Sequence, residues 1–199
     1  MNDNDNEREV ARFIRAQTLK LRLAHLESLL ADDDTGEAIE TKALPPDALD
    51  GYAVKQVDLQ SGAVTGWASA WARDLANDEI APGAYAKTLR AARAFAETHN
   101  SQALFPLLWQ HQRDEPIGFI ADAQEDGKGL YCFFWINPAI ERGRQALAGL
   151  QNGSLSFSIG FKPVAYSWKG KTRILQEIKL SEVSVVTFPA QLEARAEVA

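Results

Sequence analysis

Two serines that could act as nucleophiles, Ser156 and Ser158, lie in residues 155–161, where large apolar and small residues alternate strictly. Alternate residues of a strand point to opposite faces, so both serines and Gly160 are expected on one face. A serine hydroxyl is a weak nucleophile and needs a base within hydrogen-bond reach. The alternating pattern is consistent with two interpretations: a strand that presents a nucleophilic serine to a cleft, or a strand with one solvated face.

The base could come from one of three histidines. His25 lies among exposed positions of a predicted helix, and His99 ends an alanine-rich helical segment, where a cation favours the helix dipole. His111 instead ends a row of alternate apolar residues in a predicted strand, just before a polar loop. Such a histidine is either a base at the mouth of a cleft or a core-edge side chain with a satisfied hydrogen bond, and the pattern alone favours the second.

Glu182 is the candidate third member of such a site. It lies in an apolar run and is predicted to share a strand face with Ile178, Leu180, Ser184 and Val186. A buried carboxylate needs a partner, and the partner here is either a histidine that it orients or a structural arginine. Glu177 falls on a polar face and is the weaker candidate.

No other catalytic motif is present. The sequence has no phosphate-binding glycine loop, no Gly-x-Ser-x-Gly elbow and no His-Glu-x-x-His pair. Asp74, Asp78 and Glu79 suggest a solvated loop rather than a metal site. Cys132 is the only cysteine, which excludes an intrachain disulfide and a cysteine-built zinc site. We therefore expect no cofactor and no metal.

Composition points to a soluble protein with a packed core. Of its 199 residues, 46% are hydrophobic and 24% charged, and the net charge of −6 argues against binding to nucleic acid. No apolar run is long enough to span a bilayer, so no membrane segment is expected. The acidic N-terminus lacks the features of a secretory signal.

The chain is expected to consist of an N-terminal helix and linker (1–50), a main domain (51–190) and a C-terminal tail (191–199). Leucines at helical spacing predict the helix over residues 7–31. In the main domain, patterning predicts strands at 52–59, 63–70, 104–111, 117–123, 130–136, 155–168 and 172–188 and helices at 85–99 and 137–150. Asn137 and Pro138 are predicted as N-cap and first residue of the last helix. The fold class is α+β: one β-rich domain whose barrel-like sheet is decorated with helices.

Four stretches, in order over roughly residues 60–195, resemble the prohead serine proteases of tailed phages. They are Asn-Asp-Glu-Ile-Ala-Pro-Gly-Ala-Tyr at 77–85 with Thr88-Leu89, Leu-Leu-Trp-Gln-His at 107–111 with Pro-Ile-Gly at 116–118, Ser-Ile-Gly-Phe at 158–161, and Leu-Ser-Glu-Val-Ser-Val-Val-Thr-Phe-Pro-Ala at 180–190. Tyr85 stands where the family often has phenylalanine, and Gln112 where an acidic residue often follows the histidine. Each stretch is weak alone, but four in order are specific.

The resemblance assigns a role to each candidate residue. Ser158 would be the nucleophile, with Ser156 in reserve, His111 the base and Glu182 the acidic member. The family's fold is similar to that of the herpesvirus assemblins, so the resemblance implies an assemblin-like sheet and leaves a homodimer open.

The resemblance also implies a function. The enzyme would cleave the scaffolding segment of the major capsid protein, and itself, in the host cytoplasm inside the assembling prohead. An alternative from another class is a non-enzymatic scaffold or capsid-assembly factor on the same fold. A small-molecule esterase or amidase is a poorer third interpretation.

Overall fold

The computed structural model describes residues 56, 57, 59–191 and 194, all within one compact unit, Ala53–Ala199. The predicted N-terminal helix and linker lie outside these residues. In chain order the elements are β1 Gln56–Val57, β2 Ala63–Ala70, β3 Asp78–Ile80, α1 Ala86–Thr98, β4 Phe105–Trp109, β5 Gln112–Glu125, β6 Gly129–Ile136, α2 Glu141–Gln151, β7 Ser156–Lys169 and β8 Thr172–Val186.

The strands form one sheet in the order β1-β2-β6-β5-β4-β8-β3, with β7 paired to β8. Neighbouring strands are antiparallel, except that β3 and β4 run parallel to β8. β7 pairs with β8 along one edge of β8. The other edge of β8 pairs with β3 and, at residues 183–185 of β8, with β4. The last third of β8 therefore brings the end of β4 close to the start of β7.

The core is built from the apolar faces of the strands and the two helices. Leu89 of α1 and Leu147 of α2 are buried in the same apolar cluster as the strand residues. Within it the rings of Phe134 and Phe157 stack with centroids 4.2 Å apart. Phe157 immediately precedes Ser158, so core packing fixes the strand that carries the serine. The β-rich α+β class is confirmed.

The sheet curls so that β2 and β7 approach each other. The side chain of Gln191 accepts a hydrogen bond from the backbone N–H of Ala70, at 2.8 Å, and donates to the carbonyls of Ala70 and Ala72. Three residues later, the carbonyl of Ala194 accepts from the N–H of Phe157, at 2.9 Å. Gln191 and Ala194 thus bond to one end of the curled sheet and to the strand beside Ser158, respectively.

Three predictions about element boundaries are wrong. The strand predicted to end at His111 ends at Trp109, and the expected polar loop at 112–116 is the start of β5. The last helix begins at Glu141 and not at Pro138, because Asn137 continues the pairing of β6 through its N–H to Ile117. The side chain of Asn137 instead accepts from the N–H of Ala139 in a local turn.

None of the helices in the described residues is long and apolar enough to cross a membrane.

Candidate active site

A two-residue turn between β4 and β5 carries His111. Gln110 and His111 have φ angles of 51° and 60°, and Trp109 pairs with Gln112 across the turn. Positive φ at both central residues is the signature of a tight hairpin turn that matches the twist of the strands. The turn lifts His111 out of the strand row in which the sequence placed it.

Gln110 holds this turn against the end of β8. Its backbone N–H donates to the carbonyl of Val185 at 3.0 Å. Its side-chain amide donates to the hydroxyl of Thr187, at 3.0 Å, and accepts from the backbone N–H of Thr187, at 3.3 Å. Non-glycine residues at positive φ are costly unless their surroundings hold them. These contacts supply that support and fix where the next residue, His111, points.

Ser158 lies opposite this turn on β7, where it pairs with Ser184 of β8. Its residue is 6% exposed. The Oγ atom of Ser158 lies 3.1 Å from Nε2 of His111, within hydrogen-bond distance. The alternation predicted for 155–161 is present: Phe157 is buried in the core, and Leu155, Ile159 and Phe161 pack against it. The serine hydroxyl therefore faces away from the core and towards the imidazole.

A β-bulge decides where Glu182 points. Gly160 pairs with Glu182, but the next residue, Phe161, pairs with Leu180, so Ser181 is an extra residue in β8. An extra residue reverses the alternation of faces. Ile178 and Leu180 consequently lie in the same core cluster as Val183 and Val185. The prediction that Glu182 shares a face with Ile178 and Leu180 is wrong, and the carboxylate points to the side of Ser158.

Glu182 completes a chain of three side chains. Its Oε1 lies 2.8 Å from Nδ1 of His111, and its side chain is 12% exposed. A carboxylate in this position holds the proton on Nδ1 and leaves Nε2 free to accept from Ser158. Hydroxyl, imidazole and carboxylate are thus aligned as nucleophilic catalysis requires.

The side chain of Ser184 forms hydrogen bonds that support this arrangement. Its hydroxyl donates to Oε2 of Glu182, at 2.6 Å, and accepts from the backbone N–H of His111, at 3.2 Å. Ser184 is fully buried. The same hydroxyl therefore connects the carboxylate to the turn that carries the imidazole. Sequence reasoning missed both Ser184 and Gln110. Ser184 could have been found as the neighbour of Glu182 on its face, but nothing in the pattern marked Gln110.

The hydrogen bond from His111 to Glu182 raises the pKa of His111 above its usual value. Partial burial acts in the opposite direction, and the charge of Glu182 adds a further rise. The side chain of His111 is 45% exposed, so solvent and substrate can both reach it.

The position of the Glu182 carboxylate leaves no room for a side chain at Gly160. A Cβ atom at this position would lie 2.1 Å from Oε1 of Glu182. We predict that Gly160→Ala displaces Glu182 from His111 and lowers kcat by about 10–100-fold, because a hydrogen bond to a charged group is lost. Steady-state kinetics with a peptide substrate would measure this change. Gly170→Ala, at the exposed turn between β7 and β8, is the control, and it should alter stability without lowering kcat.

The remaining candidates are not part of this cluster. Ser156 pairs with Val186, at the start of β7, and Glu177 bonds to Lys87 of α1. His99 lies on the exposed end of α1, with Nδ1 2.8 Å from the carbonyl of Phe95. His25 is outside the described residues.

The acidic residues near β3 have structural partners. Asp78 forms an ion pair with Arg173, and Asp74 accepts from the backbone N–H groups of Ala76 and Asp78. In the part of the chain that the structure describes, no group of three or more His, Cys, Asp or Glu side chains could hold a metal ion.

A serine, a histidine and a carboxylate in hydrogen-bonded order are the working parts of a serine hydrolase. The family model for the Caudovirus prohead serine protease matches residues 48–199. The match covers most of the chain, and the protein belongs to this family. This is the family that the sequence motifs predicted.

One relative is a capsid polyprotein of Pseudomonas phage PAJU2. It is 28% identical over 151 residues, which cover 71% of this chain and 20% of the polyprotein. The matching segment is thus about a fifth of the length of that relative.

Proposed function

We propose that the chain is a serine endopeptidase that cleaves the scaffolding segment of the major capsid protein, and itself, during maturation of the phage prohead. The observation that carries this proposal is the hydrogen-bonded series Ser158–His111–Glu182, with contacts of 3.1 and 2.8 Å. Family membership supports peptide hydrolysis. A capsid polyprotein that contains a matching segment supports capsid protein as the substrate.

The catalytic cycle follows from these positions. His111 Nε2 takes the proton of Ser158 as Oγ bonds to the carbonyl carbon of the scissile peptide. The tetrahedral intermediate expels the amine, which receives that proton, and an ester on Ser158 remains. Water then attacks the ester carbon and gives a proton to His111, and the imidazolium passes that proton to Oγ of Ser158 as the ester C–O bond breaks and the acid is released. Glu182 stabilises the imidazolium that forms in each half of the cycle.

The site of action is the interior of the assembling prohead, in the host cytoplasm. The resemblance to assemblins extends the proposal to an assemblin-like fold and to a homodimer. Sedimentation of the purified chain at several concentrations would measure the oligomeric state.

Coexpression with the major capsid protein of the same phage tests the proposal. Intact mass of the capsid protein would be compared for wild type, Ser158→Ala and Ser156→Ala. Defined N-terminal trimming by wild type and by Ser156→Ala, lost in Ser158→Ala, is expected. Equal trimming by wild type and Ser158→Ala would exclude Ser158 as the nucleophile. Particles that assemble untrimmed with all three chains would favour the scaffold interpretation.

The pH dependence of cleavage has a definite direction. His111 must be neutral to accept a proton, and its pKa is raised by Glu182. We predict that kcat/KM rises with pH through an apparent pKa above the usual histidine value of about 6.5. A pH–rate profile of the free enzyme measures it. An ascending limb centred below that value would mean that the enzyme does not act with the hydrogen bond between His111 and Glu182 in place.

A further inference from the structure

A pocket of about 630 Å³ opens next to the His111–Glu182 pair. Its apolar surface is formed by Pro106 and Leu108 of β4, Pro116 of β5 and Phe161 of β7. Ligand pockets typically measure about 300–1,000 Å³, so this one is large enough for a substrate side chain and part of its neighbour. Because the pocket reaches the catalytic imidazole, whatever fills it lies close to the scissile bond.

The charges at this pocket are unbalanced. Arg113 and Lys162 line it from two different strands, and neither forms an ion pair with another residue that the structure describes. The one carboxylate that lines it, Glu182, is already bonded to His111 and Ser184. Two cations without a carboxylate partner among the described residues thus flank an apolar pocket in a chain whose net charge is −6.

We propose that this pocket binds an acidic substrate side chain, aspartate or glutamate, within three residues of the scissile bond. The stem of the side chain packs on the apolar surface, and its carboxylate lies between Arg113 and Lys162. This inference rests on the proposed protease activity and adds its substrate class. An exposed ion pair contributes up to about fivefold in affinity, and the factors of two pairs multiply. About threefold from each cation therefore gives about tenfold in kcat/KM.

The test uses the full chain and a proteome-derived peptide library. Wild type, Arg113→Gln/Lys162→Gln and Lys169→Gln/Lys171→Gln would be incubated with the library, and the residues around each cleaved bond counted. The variant Lys169→Gln/Lys171→Gln also removes two positive charges, but from the exposed turn between β7 and β8, outside the pocket. Ser158→Ala sets the background.

We expect wild type and the turn variant to favour an acidic residue at one position near the cleaved bond. In the pocket variant cleavage continues, but kcat/KM for a peptide with glutamate at that position falls about tenfold, to the level of its glutamine counterpart. In Arg113→Glu/Lys162→Glu the preference should pass to lysine. Cleavage by wild type without an acidic preference, or a preference that survives in the pocket variant, overturns the pocket inference and leaves the proposed function standing. No cleavage above the Ser158→Ala background overturns both.

Discussion

Replacing His111 by asparagine should lower kcat by about 10³-fold or more while the chain stays folded. The imidazole is the only base in contact with Ser158 among the described side chains, at 3.1 Å, and an amide cannot accept the proton. General base catalysis contributes about 10²–10⁴-fold, and loss of the histidine from a triad costs more because its members act together. Asparagine suits this test because it tolerates the positive φ of residue 111. Rates with a cleaved peptide, at saturating substrate, measure the effect.

His99→Asn is the matched control. Its ring is exposed at the end of α1, where it contacts the carbonyl and stacks on the ring of Phe95. The control should retain wild-type kcat, and circular dichroism should report folded protein for both variants. If His111→Asn kept more than about a tenth of the wild-type rate, a different base would be required.

Glu182→Gln should lower kcat by about 10²–10⁴-fold, since loss of the correct imidazole tautomer costs up to about 10⁴-fold in a triad. Ser184 donates to Oε2, which favours the amide oxygen at that position. The amide nitrogen then faces Nδ1 of His111 and donates to it. The ring proton is consequently driven to Nε2, where it blocks acceptance from Ser158.

The same variant should move the ascending limb of the pH–rate profile to lower pH, because the main cause of the raised pKa of His111 is removed. Glu177→Gln is the control, since it removes a carboxylate of the same strand that pairs with Lys87 outside the site. A fall in kcat without any shift of the limb would mean that Glu182 acts on stability rather than on the imidazole.

The fold class and most elements could be predicted from the sequence. The long apolar strand Gly129–Ile136 and the hairpin of β7 and β8 have the alternation and turn residues that mark strands, and α1 matches its predicted range within one residue at each end. These are local patterns, and local patterns are what a single sequence expresses. Helix α2 was misplaced at its start because Asn137 has a tertiary partner in Ile117.

The geometry of the site was harder to predict, because it depends on departures from regular pairing. His111 reaches Ser158 only through a tight turn at positive φ, and Glu182 faces the imidazole only because Ser181 is bulged. Periodicity assumes regular strands, so it assigned both residues to the wrong rows. The identities of the three residues came from the motifs, whereas the roles of Ser184 and Gln110 emerged from their contacts with His111 and Thr187, which are 73 and 77 positions away in the chain, respectively.

The tie made by Gln191 bears on the timing of activity during synthesis. Gln191 bonds to Ala70, 121 positions earlier in the chain, and Glu182 reaches His111 across 71 positions. The ribosome synthesises the chain from its N-terminus, and contacts between residues so far apart in the sequence form late. A nascent chain that lacks residues 182–194 has no carboxylate of Glu182 beside His111 and no hydrogen bonds between Gln191 and Ala70. We therefore expect the hydrogen-bonded series of Ser158, His111 and Glu182 to assemble only after synthesis has passed residue 182.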